Sequence, residues 1–344
     1  MRALTERADG RSSERGAVVL WVGVLLTVAL GSVALVVDVG ALYHERAQLQ
    51  NGADAAALAV AMSCAAGSCG AATSTAASYA AANVEDGTAA VETLCGVGPG
   101  LQACAAPPAA VAGAAGWVMV DTRTSNPGTA EPDRVGFLFA PILGGAADGA
   151  TVRARSVAAW GSPGSLLTAP LVISQCEFTR LGGTIGSGSV PSGSFALEFH
   201  DNTSPCVGPG GASLPGGFGW ITHPGGSCAT TTTASEWVAE KPGLSAPSDC
   251  LPSSWIGRTI VLPIFVDTNG LGGSNGQYRI GGYVGFEVTG QRFPSSPNPT
   301  PGLRCPSGAN ACLTGRFRPV ALDGTGGFAG SGSDYGTRVV RVVA

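Results

Sequence analysis

Few residues in the chain have types and spacings that could do chemistry. The histidines number three, His44, His200 and His223. Gly272-Gly273-Ser274-Asn275-Gly276 satisfies the Gly-x-Ser-x-Gly string of a nucleophile elbow, which needs a strand before it and a helix after it. Ser274 lies instead in a Gly/Asn-rich loop between two strand candidates, as in a long hairpin connection. His200 and Asp201 are neighbours on a strand candidate, so their side chains point to opposite faces and make a poor base and orienter. Asp267-Thr268-Asn269-Gly270 offers oxygens to calcium, but the other EF-hand positions and the terminal glutamate are missing, and turn chemistry is the better reading. Gly324-Thr325-Gly326-Gly327-Phe328-Ala329 imitates a dinucleotide fingerprint without a surrounding βαβ unit, and no lysine follows a glycine-rich loop to cradle phosphate. The expectation is no catalytic site, no cofactor, no metal and no small-molecule substrate. With a net charge of −4 there is no basic footprint for nucleic acid either.

The chemistry the sequence does offer is that of cysteine. All ten cysteines, Cys64, Cys69, Cys95, Cys104, Cys176, Cys206, Cys228, Cys250, Cys305 and Cys312, lie beyond an apolar N-terminal run. An even number of cysteines outside a membrane reads as a disulfide framework, and no Cys-x-x-Cys or His-x3-His spacing favours zinc. Cys64/Cys69, Cys95/Cys104 and Cys305/Cys312 are natural local staples. Cys176, Cys206, Cys228 and Cys250 can pair in any of three ways.

The element that positions everything else is the N-terminal helix. Ala17 to Val37 is 21 residues without a charge, roughly 31 Å of helix, enough to span the hydrocarbon core of a bilayer. No proline follows until Pro99, and Gly40 to Met62 is rich in Ala, Leu, Glu, Arg and Gln, so the helix continues beyond the lipid as one rod. Arg2, Arg7, Arg11 and Arg15 precede the run and only Arg46 follows closely, which places the N-terminus in the cytoplasm and the rest extracytoplasmically. The competing reading is a signal peptide cleaved at Val39-Gly40-Ala41, but the apolar run exceeds the 7–15 residues usual there. On the rod, Leu42, Leu49 and Ala56 recur every seven residues, with Ala53, Ala57 and Val60 on neighbouring turns. Such a stripe packs either against helices of neighbouring subunits or against the chain's own head. Asp38 reads as an interfacial residue at the membrane edge.

With Gly 53 and Pro 23 in 344 residues, and 12% charged, the remainder should be rich in turns and strands. Ala71 to Asn83 predicts a second helix. Thr88 to Leu94, Trp117 to Thr124 and Thr151 to Trp160 predict strands, and Val135 to Leu143 an apolar helix or turn. Beyond the Gly161-Ser165 stretch, Leu171 to Thr179, Ser194 to His200, Thr259 to Asp267, Tyr278 to Thr289, Leu313 to Leu322 and Thr337 to Val343 read as strands of a sandwich or barrel-like head. Phe218, Trp220, Trp237 and Trp255 either fill its core or form a surface-binding patch, and core filling is the better reading.

The segment Arg15 to Ala61 resembles the N-terminal segment of the Tad (tight adherence) pilus-assembly proteins of the TadE/TadG-like group. The resemblance rests on Asp38 and Gly40, then Leu49-Gln50-Asn51, then Ala53-Asp54-Ala55-Ala56-Ala57-Leu58-Ala59. Gly217-Phe218-Gly219-Trp220, Val261 to Asp267 and Ser333-Asp334-Tyr335-Gly336 add weaker likenesses to TadG-related proteins. Some larger relatives resemble von Willebrand A domains with an Asp-x-Ser-x-Ser metal motif. The nearest string here, Asp121-Thr122-Arg123-Thr124-Ser125, has Arg in place of the first serine, so that site is not carried over.

The resulting expectation is an α+β chain: a transmembrane helix extended as a long rod, a small α+β unit, and a β-rich, disulfide-stapled head. Residues 1–16 would be cytoplasmic, 17–63 the anchor and rod, 64–160 the α+β unit, 161–165 a linker and 166–344 the head. The resemblance implies a non-enzymatic structural or assembly component of a Tad-type (Flp, type IV-like) pilus system, partnered by the membrane and other pilus-system subunits. Its packing motif would be Asp38, Gly40, Leu42, Leu49, Gln50, Asn51, Ala53, Asp54, Ala56 and Ala57. An anchored surface-binding adhesin is the alternative, and a hydrolase is further off.

Overall fold

The computed structural model describes residues 11–106, 108–129, 131–142, 148–199, 206–207, 213–214, 218–271, 273–294, 296–306, 309–323, 327–328 and 333–344. Helix α1 (Arg11–Ala65) is 55 residues long and unbroken, as the absence of proline permits. It ends where Gly67 adopts φ +109°, with Gly67 N–H donating to Cys64 O at 3.0 Å and Ser68 N–H to Ser63 O at 3.3 Å. This is a Schellman ending, and it needs a residue that tolerates the left-handed region. Helix α2 (Ala72–Ala82) follows.

Then come β1 (Ala89–Val97), β2 (Gly116–Thr124), β3 (Val135–Gly136), β4 (Gly149–Ala150), β5 (Arg153–Gly161), β6 (Ser165–Thr168) and β7 (Leu171–Ser174). Helix α3 (Gln175–Arg180) precedes β8 (Phe195–Glu198), β9 (Cys206–Val207), β10 (Ser213–Leu214), β11 (Phe218–Trp220), β12 (Thr230–Thr233) and β13 (Trp237–Ala239). The last strands are β14 (Thr259–Thr268), β15 (Gln277–Arg292), β16 (Cys312–Arg318), β17 (Val320–Asp323) and β18 (Thr337–Val342). One sheet runs in the order β1-β2-β5-β18-β17, and the largest in the order β11-β7-β14-β15-β16-β8, with β13 also pairing β15.

The chain forms two compact units. The first holds the chain up to Ala53, Ala77–Glu92 and Asp121–Arg155; the second holds Asp54–Ala76, Thr93–Val120 and Ser156–Ala344. In the first, Leu49, Val84 and Ala154 form a small core with Ala89 and Val152. Gln48 Oε1 accepts from Glu85 N–H at 2.7 Å, and the hydroxyl of Thr122 donates to Leu49 O at 3.0 Å. Gly52 lies so close to α2 that a Cβ there would stand 2.9 Å from Ala80 O, which is why no larger residue fits.

The second unit is β-rich. The long hairpin β14–β15 is its spine: β14 also runs parallel to β7, and β15 antiparallel to β16. Leu171, Ile173, Leu262, Ile264, Val284, Phe286, Val288, Leu313 and Phe317 alternate inward from these strands and bury one face. An isolated parallel bridge, Phe199 to Phe218, links the chain just after β8 to β11, and the two rings meet edge to face at 5.3 Å. The sheet thus curls, but among the described residues its edges share only that bridge and do not close a barrel. Phe218, Trp220 and Trp255 are all buried in this core, and Trp237 is the half-exposed exception.

Several predicted elements differ in detail. Leu171 to Thr179 is not one strand: after Ser174 the chain turns into α3, because the Ser174 hydroxyl caps Cys176 N–H and Arg180 pairs with Glu177 one turn back. Leu313 to Leu322 is split at Pro319, which has no N–H to give a ladder. Val135 to Leu143 opens as β3, which pairs with β4, and continues through a turn; Leu143 lies outside the described residues. Gly161 closes β5, and Gly164 N–H donates to Gly327 O at 3.1 Å.

Candidate functional site

The candidate site is the surface of α1, and its residues fall into three zones. From Val18 to Val37 nearly every side chain is apolar and exposed, Ala34 being buried. This segment has the length and composition to cross a membrane. From Leu49 onward the stripe turns inward: Leu49, Ala53, Ala56, Ala57 and Val60 are fully buried. Small side chains at 53, 56 and 57 allow that close burial, since helices approach through Ala and Gly rather than through branched residues. Between these zones Gly40 is exposed and Leu42 half-buried; within the buried stretch Asn51 is exposed and Gln50 and Asp54 are half-buried. The amide of Gln50 donates to Arg155 O at 3.0 Å.

Asp38 occupies the border between lipid-length helix and rod, and it is buried. Its carboxylate accepts backbone N–H groups of three successive residues: Leu138 at 2.9 Å, Phe139 at 3.1 and 3.3 Å, and Ala140 at 2.7 Å. The sequence marks Asp38 as interfacial, but the partner lies about a hundred residues on and has no local signature.

Cys64–Cys69, Cys95–Cys104, Cys228–Cys250 and Cys305–Cys312 are bonded, with Cα separations of 4.0, 5.1, 4.7 and 5.6 Å. Cys176 is also disulfide-bonded, and among the described residues no cysteine is free. The side chain of Cys206 lies outside the described residues.

The chemical strings resolve as follows. Ser274 sits exposed in a single 3-10 turn, and among the described residues its hydroxyl bonds neither a histidine nor a carboxylate. His200, Asp201 and Gly272 lie outside the described residues. Asn269 Oδ1 accepts from Leu271 N–H and Gln277 N–H, each at 3.1 Å, and Asp267 Oδ1 from Thr268 N–H at 3.0 Å; these oxygens serve the turn. Asp267 also faces Arg279 at 3.5 Å. His223 Nε2 meets Asp249 at 3.0 Å, and that hydrogen bond holds the Asp249 carboxyl below its usual range. Cys250 stands beside this pair, but its sulfur is committed to Cys228 and is no thiolate ligand. His44 bonds Gln48 at 2.6 Å and faces Glu85 at 3.4 Å.

An apolar helix of membrane-spanning length joined to a β-rich, disulfide-stapled body fits a membrane-anchored protein. Residues 16–63 match the family model described as "Putative Flp pilus-assembly TadE/G-like", which supports a protein of the Tad pilus-assembly family. That match covers the exposed apolar zone, Asp38 and the buried stripe together. No curated protein and no solved structure matches the chain.

Proposed function

We propose that the chain is a membrane-anchored structural or assembly component of a Tad-type pilus system, with its N-terminus in the cytoplasm and its β-rich head outside. The observation that carries this reading is the coincidence of the family match at 16–63 with a helix that is apolar and almost wholly unburied from Val18 to Val37. A helix apolar on all sides belongs in lipid or against other helices. The chain's own body already covers Leu49, Ala53, Ala56 and Ala57. Contact with other pilus-system subunits would therefore come through the upper helix, between Val18 and Ala47. The role is structural: the packing motif Asp38 to Ala57 serves anchoring and assembly, not substrate turnover.

The test is photo-crosslinking in cells that carry the full pilus system, from a photoreactive residue placed singly at Val33, Val36, Val37, Gly40, Tyr43 and Ala47. Adducts to pilus-system subunits recurring every three to four residues are the expected result, because one helix face meets the partner. Membrane-bound protein without an adduct at any site overturns the packing role.

A further inference from the structure

The turn that Asp38 holds has an unusual surface. Phe137-Leu138-Phe139-Ala140-Pro141-Ile142 carries no charge, and Leu138, Phe139 and Ile142 are 69%, 37% and 77% exposed. Exposed apolar side chains grouped in one turn mark a surface meant to be covered. The turn is ordered: Phe137 N–H donates to Asp148 O at 2.9 Å and Ile142 N–H to Phe139 O at 3.0 Å. With the Asp38 carboxylate taking the N–H groups of 138, 139 and 140, the backbone donors from Phe137 to Ala140 are all satisfied within the protein. Those N–H groups can lie near hydrocarbon without the penalty of unpaired donors.

Depth decides what covers it. Asp38 is the first charged residue after the uncharged run Ala17 to Val37, so a turn bonded to Asp38 sits at the level where that run leaves the lipid. Tyr43, six residues past Val37 and largely exposed, stands at the outer interface, where tyrosines gather.

We propose that the 137–142 turn is a second membrane contact: Leu138, Phe139 and Ile142 dip into the leaflet on the head's side, and Asp38 is the positioning residue that docks them there. The inference rests on the reading of α1 as a membrane anchor. It assigns Asp38 a purpose, since a carboxylate at the lipid border is costly unless it is consumed, and here it is consumed by three backbone donors. Helix and turn together give the first unit two points of attachment to the bilayer, which restricts its tilt where a single helix would not.

The experiment uses the full oxidised chain in phosphatidylcholine proteoliposomes, with an NBD fluorophore on Leu138→Cys, Ile142→Cys or, as reference, Leu30→Cys. Quenching by lipid carrying a shallow nitroxide at 138 and 142, and by lipid carrying a deep nitroxide at Leu30, with blue-shifted NBD emission at all three, is the expected result. Adding Asp38→Ala to Ile142→Cys should lower the ratio of docked to released turn at least about tenfold, because a charged acceptor of several backbone bonds is gone. Lipid quenching at Leu30 but water-like emission at 138 and 142 overturns the proposal while leaving the anchor standing. Blue-shifted emission without lipid quenching at 138 and 142 means that protein covers the turn, and overturns it too. Absence of lipid quenching at Leu30 overturns the anchor reading and this proposal with it.

Discussion

Trp220→Ala should cost the β-rich unit about 3–5 kcal/mol, a large part of the roughly 5–15 kcal/mol that holds a typical domain folded. Trp220 is fully buried, with its ring centroid 5.2 Å from that of Phe293 and 6.3 Å from that of Trp255. It lies at the end of β11, where it pairs with Leu171 of β7, and β7 in turn lies beside β14. Truncation therefore leaves a cavity bounded by a short strand and two aromatic rings, which cannot collapse without moving the sheet edge. Trp237→Ala is the internal comparison: 44% exposed on β13, it should change stability by less than about 1 kcal/mol. Urea unfolding of the full chain in detergent micelles, followed by near-UV circular dichroism, measures both. Similar small effects at both positions would return the aromatic group to the surface-binding reading; the expected inequality assigns it to the core.

What the sequence made legible follows a physical rule. Signals carried within one helix or one strand could be read: the proline-free run from Ala17 to Ala65, the alternation in β14 and β15, the close cysteine pairs. Signals that depend on a distant partner could not. Cys228 to Cys250 was one of three pairings, and only the fold selects it. The capture of Leu138, Phe139 and Ala140 by Asp38 spans about a hundred residues, and Asp38 alone shows only that a charge ends an apolar run. The stripe is an intermediate case. Its small residues announced close packing, but the same periodicity serves a neighbour's helix and the chain's own body equally. The side chains at Leu49, Val84 and Ala154 had to be seen together before the second could be recognised. Short strands such as β9 to β13 are only two to four residues long and lack a period to detect.

The double substitution Leu26→Arg with Leu30→Arg should have the largest effect on where the protein resides. Both residues are exposed near the middle of the uncharged run, one turn apart on the same face. Each arginine at the centre of a spanning helix costs about 2.5–3.5 kcal/mol on the insertion scale, so the pair opposes insertion by about 5–7 kcal/mol, a factor of several thousand to about a hundred thousand. Alkaline carbonate extraction of membranes should move the chain from the pellet to the supernatant, whereas Leu26→Ala with Leu30→Ala should leave it in the pellet. The intact mass of the wild-type chain from the same membranes separates an anchor from a cleaved leader. Cleavage after Ala41 would remove Asp38 and leave the N–H groups of Leu138, Phe139 and Ala140 without their acceptor. It would also cut a helix that runs without interruption through Gly40 to Ala65. Retention of Ala17 to Val37 in the extracted protein is the expected result, and its loss would make both the anchor and the docked turn untenable.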